Sequence, residues 1–120
     1  MPQLSVIIPA YNEAKTLKQI LEKIESVNID KDIIVVDNGS TDESSKILRE
    51  VKYYNLKLIH HTSNRGKGGA ILTGLSQASG EFVIIQDADL EYDPNDYQKL
   101  MDIIKEDRAD LVLGARFIGG

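Results

Sequence analysis

No cysteine occurs among the 120 residues. Disulfides, thiolate metal sites and cysteine nucleophiles are thereby excluded, and the composition fits a cytoplasmic protein. Long apolar runs are also missing. Stretches such as Phe82-Val83-Ile84-Ile85 fall far short of the ~20 residues a transmembrane helix needs. The opening Met1-Pro2-Gln3 carries no positive charge and Ser5–Pro9 is too short for the apolar part of a signal peptide, so none is expected. Positive charge is not in excess: 14 Lys and Arg stand against 19 Asp and Glu, a net charge of −5. An acidic balance repels a phosphate backbone, so nucleic acid is not an expected partner. What the chain does have is 42% hydrophobic residues, enough for one packed domain and too many for disorder.

The charge is uneven. Residues 1–80 carry ten basic and nine acidic groups, whereas residues 81–110 carry three and ten. Such a cluster fits either a solvated helix face or a cation site, and the order of its residues decides between them.

Hydrophobic patterning alternates strand and helix. Leu4–Ile8 and the β-branched run Ile33–Val36 read as buried strands, as do Leu56–His60, Phe82–Gln86 and the short Leu111–Leu113. Between them, Leu17, Ile20, Leu21, Ile24 and Val27 recur at helical spacing over Ala14–Val27, with Asn12 as a candidate cap. A second helix is expected from Ser40 or Thr41 to about Lys52. A third spans Ala70–Ala78, with Ile71, Leu72 and Leu75 inward and Gly80 closing it, after a Gly-rich loop over Thr62–Gly69. A fourth runs from Asn95 to Glu106 with Pro94 in its first turn. Strands alternating with helices predict an α/β fold: a Rossmann-like, mostly parallel sheet with helices on both faces.

In such sheets ligands bind beyond the carboxyl ends of the strands. The residues found there are Pro9-Ala10-Tyr11-Asn12-Glu13, Asp37-Asn38-Gly39-Ser40-Thr41-Asp42, Asn64-Arg65-Gly66-Lys67-Gly68-Gly69, Gln86-Asp87-Ala88-Asp89-Leu90-Glu91 and Gly114-Ala115-Arg116. Five polar strand ends on one edge point to a single ligand site. In an extended Asp87-Ala88-Asp89, residues two apart face the same way at ~6.5 Å, so the two carboxylates can converge on a hard divalent cation, with Glu91 on the same side. Helix-capping aspartates in a turn are the alternative. The glycines around Lys67 can accept an anion at a helix start but also suit a plain turn. They match neither a Walker loop nor a dinucleotide fingerprint. Asp37 at a strand end can accept hydrogen bonds from a base or ribose, and Tyr11 can line a base pocket or sit on the surface. His60 and His61 read as strand-end residues, with no orienting carboxylate near them in sequence.

Taken together, these loops resemble the nucleotide-sugar domain of family 2 glycosyltransferases, which have the GT-A fold. Asp87–Pro94 with Gly114-Ala115-Arg116-Phe117 looks closest to the polyprenyl-phosphate (dolichyl-phosphate) mannose or glucose synthase branch. The resemblance implies a metal-dependent, inverting transfer from a GDP-mannose- or UDP-glucose-type donor to a polyprenyl phosphate or a saccharide. By motif, Pro9, Tyr11 and Glu13 line the nucleoside pocket and Val35 and Asp37 hold the base side. Asp87, Ala88 and Asp89 hold ribose, diphosphate and Mg²⁺ or Mn²⁺. Asp89 and Glu91 match metal-ligand positions, Glu91 where the branch more often has Gln. Arg116 matches a donor contact, and Lys67 falls near the diphosphate. No catalytic base is found in residues 1–120, which read as the donor-binding part of a longer domain. The acceptor site, further sheet and any membrane contact at a cytoplasmic face are expected from parts outside it. The isolated chain is then expected to self-associate and to bind a nucleotide with little turnover. A receiver-type signalling domain and a sugar nucleotidyltransferase lack their marker residues here.

Overall fold

A computed structural model describes residues 2–51, 55–87, 93–99, 101–102 and 116–119. Its order is β1 (Leu4–Ala10), α1 (Ala14–Ser26), β2 (Lys31–Asn38), α2 (Ser44–Glu50), β3 (Leu56–His61), α3 (Gly66–Gln77), β4 (Phe82–Ile85) and β5 (Arg116–Gly119). The strands form one sheet in the order β3-β2-β1-β4-β5. The first four are parallel; β5 runs antiparallel beside β4. The sheet is thus mostly parallel, as expected. The expected fifth strand, Leu111–Leu113, lies outside the described residues. The observed fifth strand starts at Arg116, which the sequence pattern placed in a loop.

Every residue of β2 is buried and all of β1 except Pro9. The middle of a strand covered on both faces is apolar, which is why Ile33–Val36 reads as a continuous β-branched run, while the buried polar residues Lys31, Asp32, Asp37 and Asn38 stand at the two ends of β2. Alternation sorts their side chains. Val6, Ile8, Ala10, Ile33 and Val35 pack with Leu17, Ile20, Leu21 and Ile24 of α1, Leu48 of α2, Tyr97 and Met101. Ile7, Ile34, Val36, Val83 and Ile85 face the other way, toward Ala70 of α3. Each fully buried Val, Leu or Ile side chain among them contributes about 1.5–3 kcal/mol.

Several local expectations are corrected. α3 begins at Gly66, so the Gly-rich stretch forms its first turn. Leu72 is 69% exposed, because the inward face of α3 carries Ala70, Ile71, Gly74, Leu75 and Ala78. α2 starts at Ser44 rather than Ser40 or Thr41, with Asp42 Oδ1 accepting the Ser44 amide at 2.8 Å. The chain from Asp93 enters a 3₁₀ turn at Pro94–Asp96, the Asp93 carboxylate accepting from the Asn95 amide. Helix follows over residues 97–99 and 101–102; residues 103–106 lie outside the described residues.

Gly80 is not a left-handed helix cap. α3 ends in extended backbone at Ala78, and Gly80 instead lets the chain press against β1. A Cβ there would sit 2.6 Å from the Ser5 amide nitrogen and 2.7 Å from the Leu4 carbonyl carbon. The Gly80 amide donates to Ser5 Oγ at 2.8 Å. Backbone cannot yield as a side-chain tip can, so Gly80→Ala is expected to cost about 1–3 kcal/mol in urea unfolding. Gly68→Ala, in α3 with open space around its Cβ, is expected to stabilise by about 0.5–1 kcal/mol. Equal midpoints for the two variants would contradict this account of Gly80.

Candidate functional site

The strand order reverses at β1: the chain builds β2 and β3 on one side, then crosses under α3 to place β4 on the other. The parallel register aligns the carboxyl ends. Ala10 pairs with Asp37, Asp37 with His60, Asn38 with His61, and Ile7 with Ile85. A cavity of about 360 Å³ opens at this edge, lined by Pro9, Ala10, Tyr11, Glu13, Asn38, Asn64, Lys67 and Asp87. That volume suits a small ligand, and the position is where open α/β sheets bind one.

The loops around it are stitched together. Asn12 takes a positive φ of 53°, and its side chain does not cap α1. Its Oδ1 accepts from the Thr41 and Asp42 amides at 2.8 and 3.2 Å, and its own amide donates to Ser40 Oγ. In return the Ala14 amide donates to Asp42 Oδ2 and the Glu13 amide to Ser44 Oγ. The loops that precede α1 and α2 are therefore bonded to each other, while the first amide of α2 is met by Asp42 of its own loop. Gly39, at φ 79°, lies so close to the next loop that a Cβ would meet the Asn64 nitrogen at 2.7 Å.

Asn38 ties β2 to α3. Its Nδ2 donates to Gly66 O at 3.0 Å and to Asn64 Oδ1 at 3.3 Å, while its Oδ1 accepts from the Arg65 amide. His61, buried, bridges Asn38 Oδ1 and Thr73 Oγ1 through its two ring nitrogens, both at 2.9 Å. Burial, with the Arg65 guanidinium adding, holds the His61 pKa below its ordinary value, against the opposing pull of Asp37. His60 Nδ1 lies 3.0 Å from Asp37 Oδ2, and Asp37 Oδ1 accepts from the Ser40 amide. So both histidines do have partners, which the parallel register supplies and local sequence does not.

On the β4 side, the Gln86 amide donates to Ile7 O, and Tyr97 donates its hydroxyl to Gln86 Oε1 at 2.6 Å. Burial, with Asp93 adding, raises the Tyr97 pKa far above the ordinary phenol value, so the hydroxyl keeps its proton. This holds the strand end that delivers Asp87. The Asp87 carboxylate meets the ammonium of Lys67, from the first turn of α3, at 2.6 Å.

The expected site residues divide as follows. Pro9, Tyr11, Glu13, Lys67 and Asp87 come together on the cavity wall. Val35 is buried in the core, and Asp37, 2% exposed, bonds within the protein; neither is on the wall. Arg116 lies at the same edge, its backbone opposite Ile85. Ala88, Asp89 and Glu91 lie outside the described residues. Sequence reasoning missed the cavity-lining Asn64 and Asn38 as a linked pair, and Tyr97 as the buried anchor beside Asp87. Asn38 follows a buried strand and Tyr97 recurs one helical turn before Met101, which are the signals that were available. Among the described residues no three His, Asp or Glu side chains gather as a metal cluster. The donor present, Asp87, is a hard carboxylate oxygen beside a cavity, which fits Mg²⁺ or Mn²⁺ shared with phosphate oxygens.

The family model described as Glycosyl transferase family 2 matches residues 5–120. The chain belongs to glycosyl transferase family 2. A dolichol-phosphate mannosyltransferase of Pyrococcus furiosus is 33% identical over 121 residues, covering 98% of this chain and 34% of the relative. A UDP-N-acetylglucosamine–dolichyl-phosphate N-acetylglucosaminyltransferase of Methanococcus voltae is 34% identical over 128 residues, covering 92% of this chain and 51% of the relative. This family 2 chain thus spans between a third and a half of the curated relatives it matches. Among solved structures, a mannosyltransferase of Pyrobaculum calidifontis in complex with GDP-Man and Mn²⁺ superposes with a TM-score of 0.76 at 32% identity, over 92% of this chain and 34% of that one. The GT-A architecture expected from the motifs is therefore the one observed.

The network around His61 has a pH signature. A histidine whose folded pKa is depressed adds stability that is complete above its ordinary value of 6.5 and is lost as pH falls through the folded value. Proton NMR should place the His61 titration below 6.5. Urea midpoints from pH 8 down to 5 should fall in the same window, and the fall should shrink in His61→Gln. A His61 pKa at or above the ordinary value would contradict this.

Proposed function

We propose that this chain is the donor-binding part of an inverting glycosyltransferase that binds a nucleoside-diphosphate sugar with a divalent cation and passes the sugar to a polyprenyl phosphate. The observation that carries this reading is the cavity at the strand reversal, where one aromatic ring, two amides and a carboxylate–ammonium pair share a wall in a family 2 chain. Both curated relatives described above carry dolichol phosphate in their names, and the solved mannosyltransferase holds GDP-Man and Mn²⁺. These support a nucleotide-sugar donor and a lipid-phosphate acceptor without fixing the base or the sugar.

In this reading Tyr11 and Pro9 line the nucleoside end and Asp87 the diphosphate end, with Asp89, Glu91 and Arg116 as further candidates. The cation, when bound, offsets charge growing on the leaving diphosphate. Lys67 adds a positive charge at the same place, and the amides of Asn38 and Asn64 fix the α3 start from which it reaches. Attack by an acceptor phosphate needs little help from a base because the nucleophile is already an anion, whereas a hydroxyl acceptor would need a base from the rest of the enzyme. Acceptor binding belongs to the rest of the whole enzyme.

Calorimetry tests the donor site. GDP-mannose or UDP-N-acetylglucosamine should bind with Mn²⁺ and bind much more weakly in EDTA. Asp87→Asn should weaken the Mn²⁺-dependent binding about tenfold to a hundredfold, the scale of losing a charged partner. Binding of neither nucleotide sugar, or equal affinity with Mn²⁺ and EDTA, would refute the reading.

A further inference from the structure

We infer that Lys67 is a resident counter-ion for Asp87 that a divalent cation displaces, so that cation binding releases the ammonium toward the phosphates of the donor. The inference rests on the donor-site reading above. Its ground is the 2.6 Å contact between Lys67 Nζ and Asp87 Oδ1 on the wall of the cavity.

The two partners differ in freedom. Asp87 follows directly on β4, whose end is pinned by the Gln86 amide on Ile7 and by the buried Tyr97 hydroxyl on Gln86. Its carboxylate is 30% exposed, whereas the Lys67 side chain is 57% exposed. The lysine backbone is held at the start of α3 by the Asn38 and Asn64 bonds to residues 65 and 66. Its stem is long and unburied. A short carboxylate on an anchored strand end and an ammonium on a long, exposed stem form a contact that opens most readily by movement of the lysine.

The energetics favour that opening. A half-exposed ion pair is worth little because solvent screens it and the long side chain loses freedom in it. A divalent cation brings twice the charge of an ammonium to the same oxygen and takes carboxylate and phosphate oxygens together. The pair is neutral as it stands. Adding the cation takes the pair from neutral to a net charge of +2, which outweighs the single carboxylate of Glu13 on the same wall and suits an anionic diphosphate. Lys67 thus keeps Asp87 from standing as an uncompensated negative charge at the site an anion must enter. No other positively charged side chain lines the cavity among the described residues.

The exchange is read without turnover. Mn²⁺ binding, followed by electron paramagnetic resonance at low ionic strength with no nucleotide present, should be about three- to fivefold tighter in Lys67→Met than in the unmodified chain, and the difference should close as salt is raised. GDP affinity in the presence of Mn²⁺ should fall in the same variant. In a lysine-labelled sample, the Lys67 Nζ signal, assigned by its loss in Lys67→Met, should shift when Mg²⁺ is added and should not shift in Asp87→Asn. Mn²⁺ affinity that is unchanged or weaker in Lys67→Met, or a Lys67 signal indifferent to Mg²⁺, overturns the exchange even if GDP binds. If GDP fails to bind while Mn²⁺ affinity rises in Lys67→Met, the donor-site reading fails and the exchange stands.

Discussion

Parallel pairing of β1 on both of its edges is the constraint on which the rest depends. β1 is hydrogen-bonded to β2 on one side and β4 on the other. Parallel neighbours force the chain to cross over the sheet between strands, and the crossovers place α1 and α2 on one face and α3 on the other. Once the strands run the same way, their carboxyl ends finish together. Residues as far apart as Tyr11, Asn64 and Asp87 then reach one cavity.

That edge is built mostly of hydrogen bonds to backbone amides. Asn12, Asp37, Asn38, Asp42 and Asn64 each accept from at least one main-chain N–H. Their role is to hold loops that have few apolar contacts of their own. Lys67 and Asp87, two of the charged residues on the cavity wall, stand out against this background because their side chains bond to each other. A rigid polar frame around one breakable pair is an arrangement in which the charge can be rearranged without moving the frame.

The layered fold was legible in the sequence because its strands are buried on both faces. Ile33–Val36 and Phe82–Ile85 announce themselves without reference to any partner. Most of the cavity wall was legible too, since Pro9, Tyr11, Glu13, Lys67 and Asp87 follow strand ends. What local pattern did not carry were interactions between distant segments. Asn12 looks like a cap for the helix that follows it, but its partners are 29 and 30 residues away. Gly66–Gly69 reads as a loop by composition and is helix, because Asn38 and Asn64 fasten its start. Leu72 reads as core by hydrophobicity, yet the small residues Ala70 and Gly74 are the ones buried on α3. His60 and His61 acquire partners only through the register of β3 on β2.

The reciprocal bonding between the Asn12–Ala14 and Ser40–Ser44 segments has a consequence for how this edge can change over evolutionary time. Each segment accepts main-chain amides of the other, so a change of length in one disturbs the bonding of both. An insertion or deletion in one would strand donors in the other, and the pair can drift only by coordinated replacement. Variation in ligand preference is thereby steered away from these two loops, toward side chains such as Tyr11 that face the cavity without holding the frame.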